Sequence, residues 1–389
     1  MVQFGFKFFG KSSARSPQAQ EASNLTVNRF ASRPVKRRTA LFLSGLAMSF
    51  AIVSCTNSGT NTEAGSASPD AQSAESPKPD VELTLVSFAV TQAAYEKIIP
   101  LFVEKWKAEH NQNVTINQSY GGSGSQTRAV IDGLEADVVA LALALDTKKI
   151  EKAGLIQPGW EKEAPNDGIV TKSVAALVVR DGNPKNIQGW EDLTRDDVKV
   201  VTANPKTSGG ARWNFLGAWG AVTQAGGDEA KAEEFVTNLY KNVPVLAKDA
   251  RESTDIFFAR GQGDVLINYE NEVLLAKQKG EDSTFIIPDV NISIDNPIAV
   301  VDANVDKHGT REVAEAFVEF LYTPEAQREF AKVGFRPVDK AVSQEFASQY
   351  PEIKQLFTVA DLGGWDTVQA QFFDDGAIFD KIQASIGKK

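Results

Sequence analysis

Hydrophobic and polar positions fall into alternating strand-like and helix-like segments from about residue 81 onward. Residues 81–88 (VELTLVSF) have the composition and alternation of a strand. The next stretch, 92–110, places Ile98, Leu101, Phe102 and Trp106 along one side of a helix. A second strand is expected at 113–120 (NVTINQSY), a helix at 123–134 and a third strand at 137–143 (DVVALAL). That third run is apolar throughout, as a strand covered on both faces would be. The βαβαβ opening argues for a parallel sheet with helices on both sides.

A second cluster starts with a strand at 198–203 (VKVVTA) and a helix at 208–225, followed by strands at 242–246 and 264–268 and a helix at 270–279. Residues 298–303 (IAVVDA) read as a return strand, and helices are expected at 311–322, 324–333 and 375–386. A chain of 389 residues is too long for one typical core. The order fits two α/β lobes joined by crossing strands, with a ligand cleft between them. The first lobe is expected at about 81–163 plus 290–389 and the second at about 164–289.

The first 80 residues read differently. Residues 1–38 carry eight Lys or Arg against one acid, Glu21, and an apolar run at 39–54 leads directly to Cys55. A basic start, a short apolar stretch and a small residue at the break make a secretory signal over 1–54. The run is short for a membrane span. With Cys55 directly after the break, the pattern resembles a bacterial lipoprotein signal, which would make Cys55 a lipidated mature N-terminus. A plain signal peptide followed by an incidental Cys is the other reading. Residues 55–80 hold no aromatic and no β-branched aliphatic side chain, so a flexible tether is expected. The folded part then spans 81–389.

Charge narrows the classes. Residues 1–54 carry a net +7 within a total of −10, leaving −17 on the remainder. So acidic a protein suits neither nucleic acid nor an anionic membrane surface, where cationic side chains must displace counterions. One Cys excludes an intramolecular disulfide framework and a multi-Cys zinc site, and only His110 and His308 offer imidazole. No cofactor or metal is expected.

Two junctions carry candidate chemistry. Gly121, Gly122, Ser123, Gly124 and Ser125 follow one strand and open a helix, as do Ser208, Gly209 and Gly210. Helix starts present unpaired N–H groups and partial positive charge, and so bind anions. Either junction alone is equally a flexible turn with a Ser cap. A pair at matching places in two lobes can close on one anion. Neither junction fits GxxxxGK[ST] or GxGxxG, which argues against nucleotides.

Together with these junctions, five blocks look like the signature blocks of prokaryotic sulfate-binding proteins. They are 120–126 (YGGSGSQ), 135–143 (EADVVALAL), 204–214 (NPKTSGGARWN), 249–254 (DAREST) and 263–275 (GDVLINYENEVLL). The similarity runs from about 81 to about 386. It implies a type II periplasmic-binding-protein fold whose cleft holds desolvated sulfate through neutral donors. By position, Ser123 would donate its N–H and hydroxyl, Ser208 its hydroxyl, and Gly209, Gly210, Ala250 and Ala89 their N–H groups. Tyr269 stands where the family commonly has Trp and can donate its hydroxyl; the alternative is a core aromatic beside a strand end. Asp137, Arg212 and Arg251 either pair behind the site or form ordinary ion pairs.

The resemblance further implies a monomer that delivers sulfate to the permease subunits and cytoplasmic ATPase of an ABC transporter. Its place would be the periplasm or outer membrane face, with the membrane touched only through a lipid on Cys55. Thiosulfate and molybdate are the alternative ligands. A serine hydrolase is disfavoured: an elbow would read GxSxG, whereas Gly121–Ser125 has Ser at the last position, and with His110 ending a charged helix and His308 in a Lys-His-Gly turn neither is expected buried beside a nucleophile.

Overall fold

A computed structural model of the chain describes residues 78–281 and 284–387. Cys55, the expected signal at 1–54 and the tether up to residue 77 lie outside the described residues.

Two mixed sheets and one short strand pair organise the described residues, and the strands are β1 (Val81–Phe88), β2 (Val114–Gly121), β3 (Val138–Ala140), β4 (Ile169–Ser173), β5 (Ala175–Val179), β6 (Val200–Ala203), β7 (Leu246–Ala247), β8 (Val265–Tyr269), β9 (Thr284–Ile286), β10 (Val290–Ile292), β11 (Ile294–Val300), β12 (Arg336–Pro337) and β13 (Gln355–Phe357). The six-stranded sheet has the order β12-β4-β11-β3-β1-β2, and the five-stranded sheet β7-β6-β8-β5-β9. β1 is parallel to both β2 and β3, while β11 runs antiparallel to β3. In the second sheet β6 is parallel to β7 and β8. A short parallel pair, β10 with β13, completes the set.

The helices are α1 (Gln92–His110), α2 (Ser123–Ile131), α3 (Ala144–Lys152), α4 (Gly209–Thr223), α5 (Glu229–Lys241), α6 (Ala250–Phe257), α7 (Glu270–Gln278), α8 (Asp302–His308), α9 (Arg311–Phe320), α10 (Pro324–Lys332), α11 (Lys340–Glu345), α12 (Gly364–Val368) and α13 (Ile378–Ser385). α1 buries Ile98, Phe102 and Trp106 on the side expected from their spacing. α4 is buried on nearly all sides through its first three turns. That is why its sequence lacks the polar stripe of a surface helix.

The chain passes between sheets at Val174, between β4 and β5, some ten residues later than the expected boundary near 164. Residues 169–179 form two strands interrupted by one residue, so the crossing has no sequence break to mark it. Asn291 braces it: its amide donates to the Ala175 carbonyl at 2.8 Å and accepts the Ala175 N–H at 3.1 Å. The tail also departs from the expected partition, which gave all of 290–389 to one lobe. Phe372, Phe373 and Phe379 pack on Phe215 of α4, and Phe379 on Tyr240 of α5. These rings need an apolar partner, and the helices covering the five-stranded sheet provide it.

Candidate anion-binding site

Three strands of each sheet end at one place. β1 runs into Ala89, β2 into Gly122 and Ser123, and β3 into Ala142; β6 leads to Ser208, β7 to Asp249 and β8 ends at Tyr269. This is the carboxyl edge of the parallel strands, where α/β proteins place ligands. The residues line one small cavity, namely Phe88, Ala89, Val90, Gly121, Gly122, Ser123, Ala142, Ser208, Gly209, Gly210, Asp249, Ala250 and Tyr269. All seven residues proposed from the sequence as ligand contacts therefore line one cavity.

Glycine makes the approach possible. A Cβ on Gly209 would lie 2.5 Å from the Ala142 Cβ, and one on Gly122 would lie 2.6 Å from the Thr207 carbonyl oxygen. Both pairs join residues from opposite sides of the cavity, so the two walls meet in a closed arrangement. Ser123, Gly209 with Gly210, and Ala250 occupy the first turns of α2, α4 and α6. First-turn N–H groups have no intrahelical acceptor and point out of the helix start.

The hydroxyls divide in a way the sequence did not reveal. Ser208 caps α4, its oxygen accepting the Ala211 N–H at 3.3 Å, and its proton finds no protein acceptor among the described residues. Ser123, by contrast, donates its hydroxyl proton to Asp146 Oδ2 at 2.7 Å while its oxygen accepts the Ala142 N–H at 3.0 Å. The expected hydroxyl contact from Ser123 is thus corrected: a hydroxyl has one proton, and Asp146 holds it. Only the Ser123 N–H remains for the cavity.

Tyr269 is 1% exposed and its hydroxyl has no partner among the described residues. Burial, with the Asp146 and Glu272 carboxylates nearby, pushes its ionisation well above the usual tyrosine range, so it stays a donor. Asp249 is the one charged residue in the lining, and its carboxylate caps α6, accepting the Glu252 N–H at 2.8 Å.

Behind the site the expected set is partly replaced. Arg212 does lie there, buried, with Nη1 at 3.0 Å from Asp146 Oδ1 and Nε donating to the Pro205 carbonyl at 2.9 Å. Arg251 pairs with Glu272 at 2.8 Å. Asp137 does not belong with them. It precedes β3, at the opposite end of the sheet, where it holds the Thr84 N–H, the Thr310 hydroxyl and His308 Nδ1. The reading missed Asp146, which nothing in its local sequence marks. Neither histidine lines the cavity: His110 stacks on Trp106 at 3.7 Å.

Comparison with known proteins bears on this geometry. The profile described as bacterial extracellular solute-binding protein matches residues 83–336. A sulfate-binding protein from Synechococcus elongatus is 60% identical over 353 residues, covering 90% of this chain and 97% of its own. One from Escherichia coli is 46% identical over 307 residues, covering 78% and 93%. The chain belongs to the family of sulfate- and thiosulfate-binding solute-binding proteins. Among solved structures, the sulfate-binding protein SubI from Mycobacterium tuberculosis matches with a TM-score of 0.70 at 38% identity, covering 76% of this chain and all of that one. The fold is the type II periplasmic-binding-protein fold, and the protein is an extracytoplasmic transport component with no enzymatic role.

Proposed function

We propose that this chain captures sulfate in the cavity between its two sheets and presents it to the permease of an ABC transporter, tethered by a lipid on Cys55. One observation carries the reading. Residues from five chain segments that carry neutral donors line one cavity, and the lining contains no Lys or Arg. The donors they would offer are the N–H groups of Ala89, Ser123, Gly209, Gly210 and Ala250 and the hydroxyls of Ser208 and Tyr269. The names of the relatives support the same ligand.

Energetics favour a dianion there. Hydrogen bonds to a charged group contribute about 1.5–3 kcal/mol each, so six or seven can offset removal of sulfate from water. The long-range field of an acidic chain opposes capture, and the oriented dipoles of three helix starts must overcome it at contact. Selectivity follows from proton counting. Phosphate keeps a proton at neutral pH, and that proton would face another donor, at a cost of about 1–3 kcal/mol. The one carboxylate in the lining is occupied as a helix cap.

Calorimetry of the purified protein with sulfate, thiosulfate, molybdate and phosphate tests the proposal. Tight sulfate binding with little response to phosphate is expected. Phosphate binding as strong as sulfate would sink the donor-only account.

A further inference from the structure

We propose that Trp213 is the latch that holds the cavity shut, a positioning residue acting through Ala142. This deepens the sulfate reading and rests on it. Trp213 lies in α4 on the side of the five-stranded sheet, and its fully buried indole Nε1 donates to the Ala142 carbonyl at 2.8 Å. Ala142 follows β3 in the six-stranded sheet and lines the cavity, with its own N–H held by Ser123 Oγ at 3.0 Å. The bond therefore spans the two walls of the cavity.

Its position on the helix ties it to the ligand. Gly209 and Trp213 are four residues apart and share one face of α4. Gly209 meets the Ala142 methyl on that face, at a distance that leaves no room for a Cβ. The movement that brings the Gly209 N–H to the cavity thus also brings the indole to Ala142. Trp365 stands edge-on to the Trp213 ring, with centroids 4.9 Å apart.

The bond is also one that can be given up. The Ala142 carbonyl receives a second donor, Asn296 Nδ2 at 3.1 Å, from β11 of its own sheet. When the walls part, the carbonyl keeps Asn296 and the indole N–H turns to water. Opening leaves neither group orphaned, so the bond adds to the lifetime of the closed form without locking it.

Release of labelled sulfate after dilution tests this, in the wild type, Trp213→Phe and Trp365→Phe. Trp213→Phe keeps an aromatic ring but no donor, and should release sulfate about three- to tenfold faster, as expected for loss of one hydrogen bond. Trp365→Phe perturbs the neighbouring packing alone and should release at the wild-type rate. Unchanged release from Trp213→Phe, or equal acceleration in both variants, overturns the latch. A wild-type chain that retains no sulfate overturns the sulfate reading and this one with it. A second measurement needs no variant: hydrogen exchange at the wild-type Trp213 indole. Protection that appears only with sulfate supports the latch; equal protection in its absence overturns it.

Discussion

Arg212 and Asp146 meet at 3.0 Å behind the cavity, the one from α4 and the other from α3, so a buried ion pair links the helices of the two sheets. Asp146 also takes the Ser123 hydroxyl, which makes it the point where the anion wall and the ion pair join. Asp146→Ala would leave a buried guanidinium without its carboxylate, at a cost of about 3–5 kcal/mol. Urea unfolding in saturating sulfate should show a loss of that order. A loss under about 1 kcal/mol, in the range of an exposed pair, would count against this role.

Tyr269→Phe should separate binding from stability. The buried hydroxyl has no partner among the described residues, so its removal costs the fold no hydrogen bond and deletes a polar group. Without sulfate, the variant should unfold at the same urea concentration as the wild type or higher. Its sulfate affinity should fall by about 1.5–3 kcal/mol, the worth of one hydrogen bond to a charged partner, as read by calorimetry. Equal affinity would reduce Tyr269 to a wall of the cavity.

Ser208→Ala removes a hydroxyl that caps α4 and whose proton has no acceptor among the described residues. Sulfate binding should weaken by about 1–3 kcal/mol. Stability should drop by about 1 kcal/mol from the lost cap. Calorimetry and unfolding read the two effects separately, and unaltered binding would place Ser208 outside the site.

His308 gives the fold a pH dependence far from the ligand. Its ring meets Asp137 at 2.8 Å and Glu135 at 3.0 Å, and hydrogen bonds to these carboxylates raise its pKa above the ordinary imidazole value. A raised folded-state pKa favours the protonated form, so this contribution is complete below about pH 6.5, the unfolded value. It is lost as pH rises through the folded value. The stability difference between wild type and His308→Gln should shrink along that rise, measured by urea midpoints at successive pH values. A constant difference across the range would show that the charge on His308 has no part in it.

Much of the site was legible because its signals are local. A strand ending in Gly or Ser before a helix is visible at Gly122–Ser123 and at Ser208–Gly209, and the cavity forms where both meet. What stayed hidden depends on long-range geometry. Asp137 and Asp146 lie nine residues apart, and only the course of β3 decides that the second stands behind the cavity and the first at the far edge. The fate of the Ser123 proton was hidden for the same reason, since its acceptor is 23 positions away. The crossing at Val174 escaped because 169–179 has no Gly, Pro, Asn or Asp to punctuate it.

The unpaired hydroxyl of Tyr269 has a consequence for transport economy. A protein that shut without its anion would leave this buried donor unpaired. A stranded donor raises the free energy of a vacant shut form by about 1–3 kcal/mol, whereas a bound anion that accepts from it would relieve the cost. That cost would favour the open form of a vacant carrier, and a permease that responded to the shut shape would then be spared fruitless cycles of ATP hydrolysis.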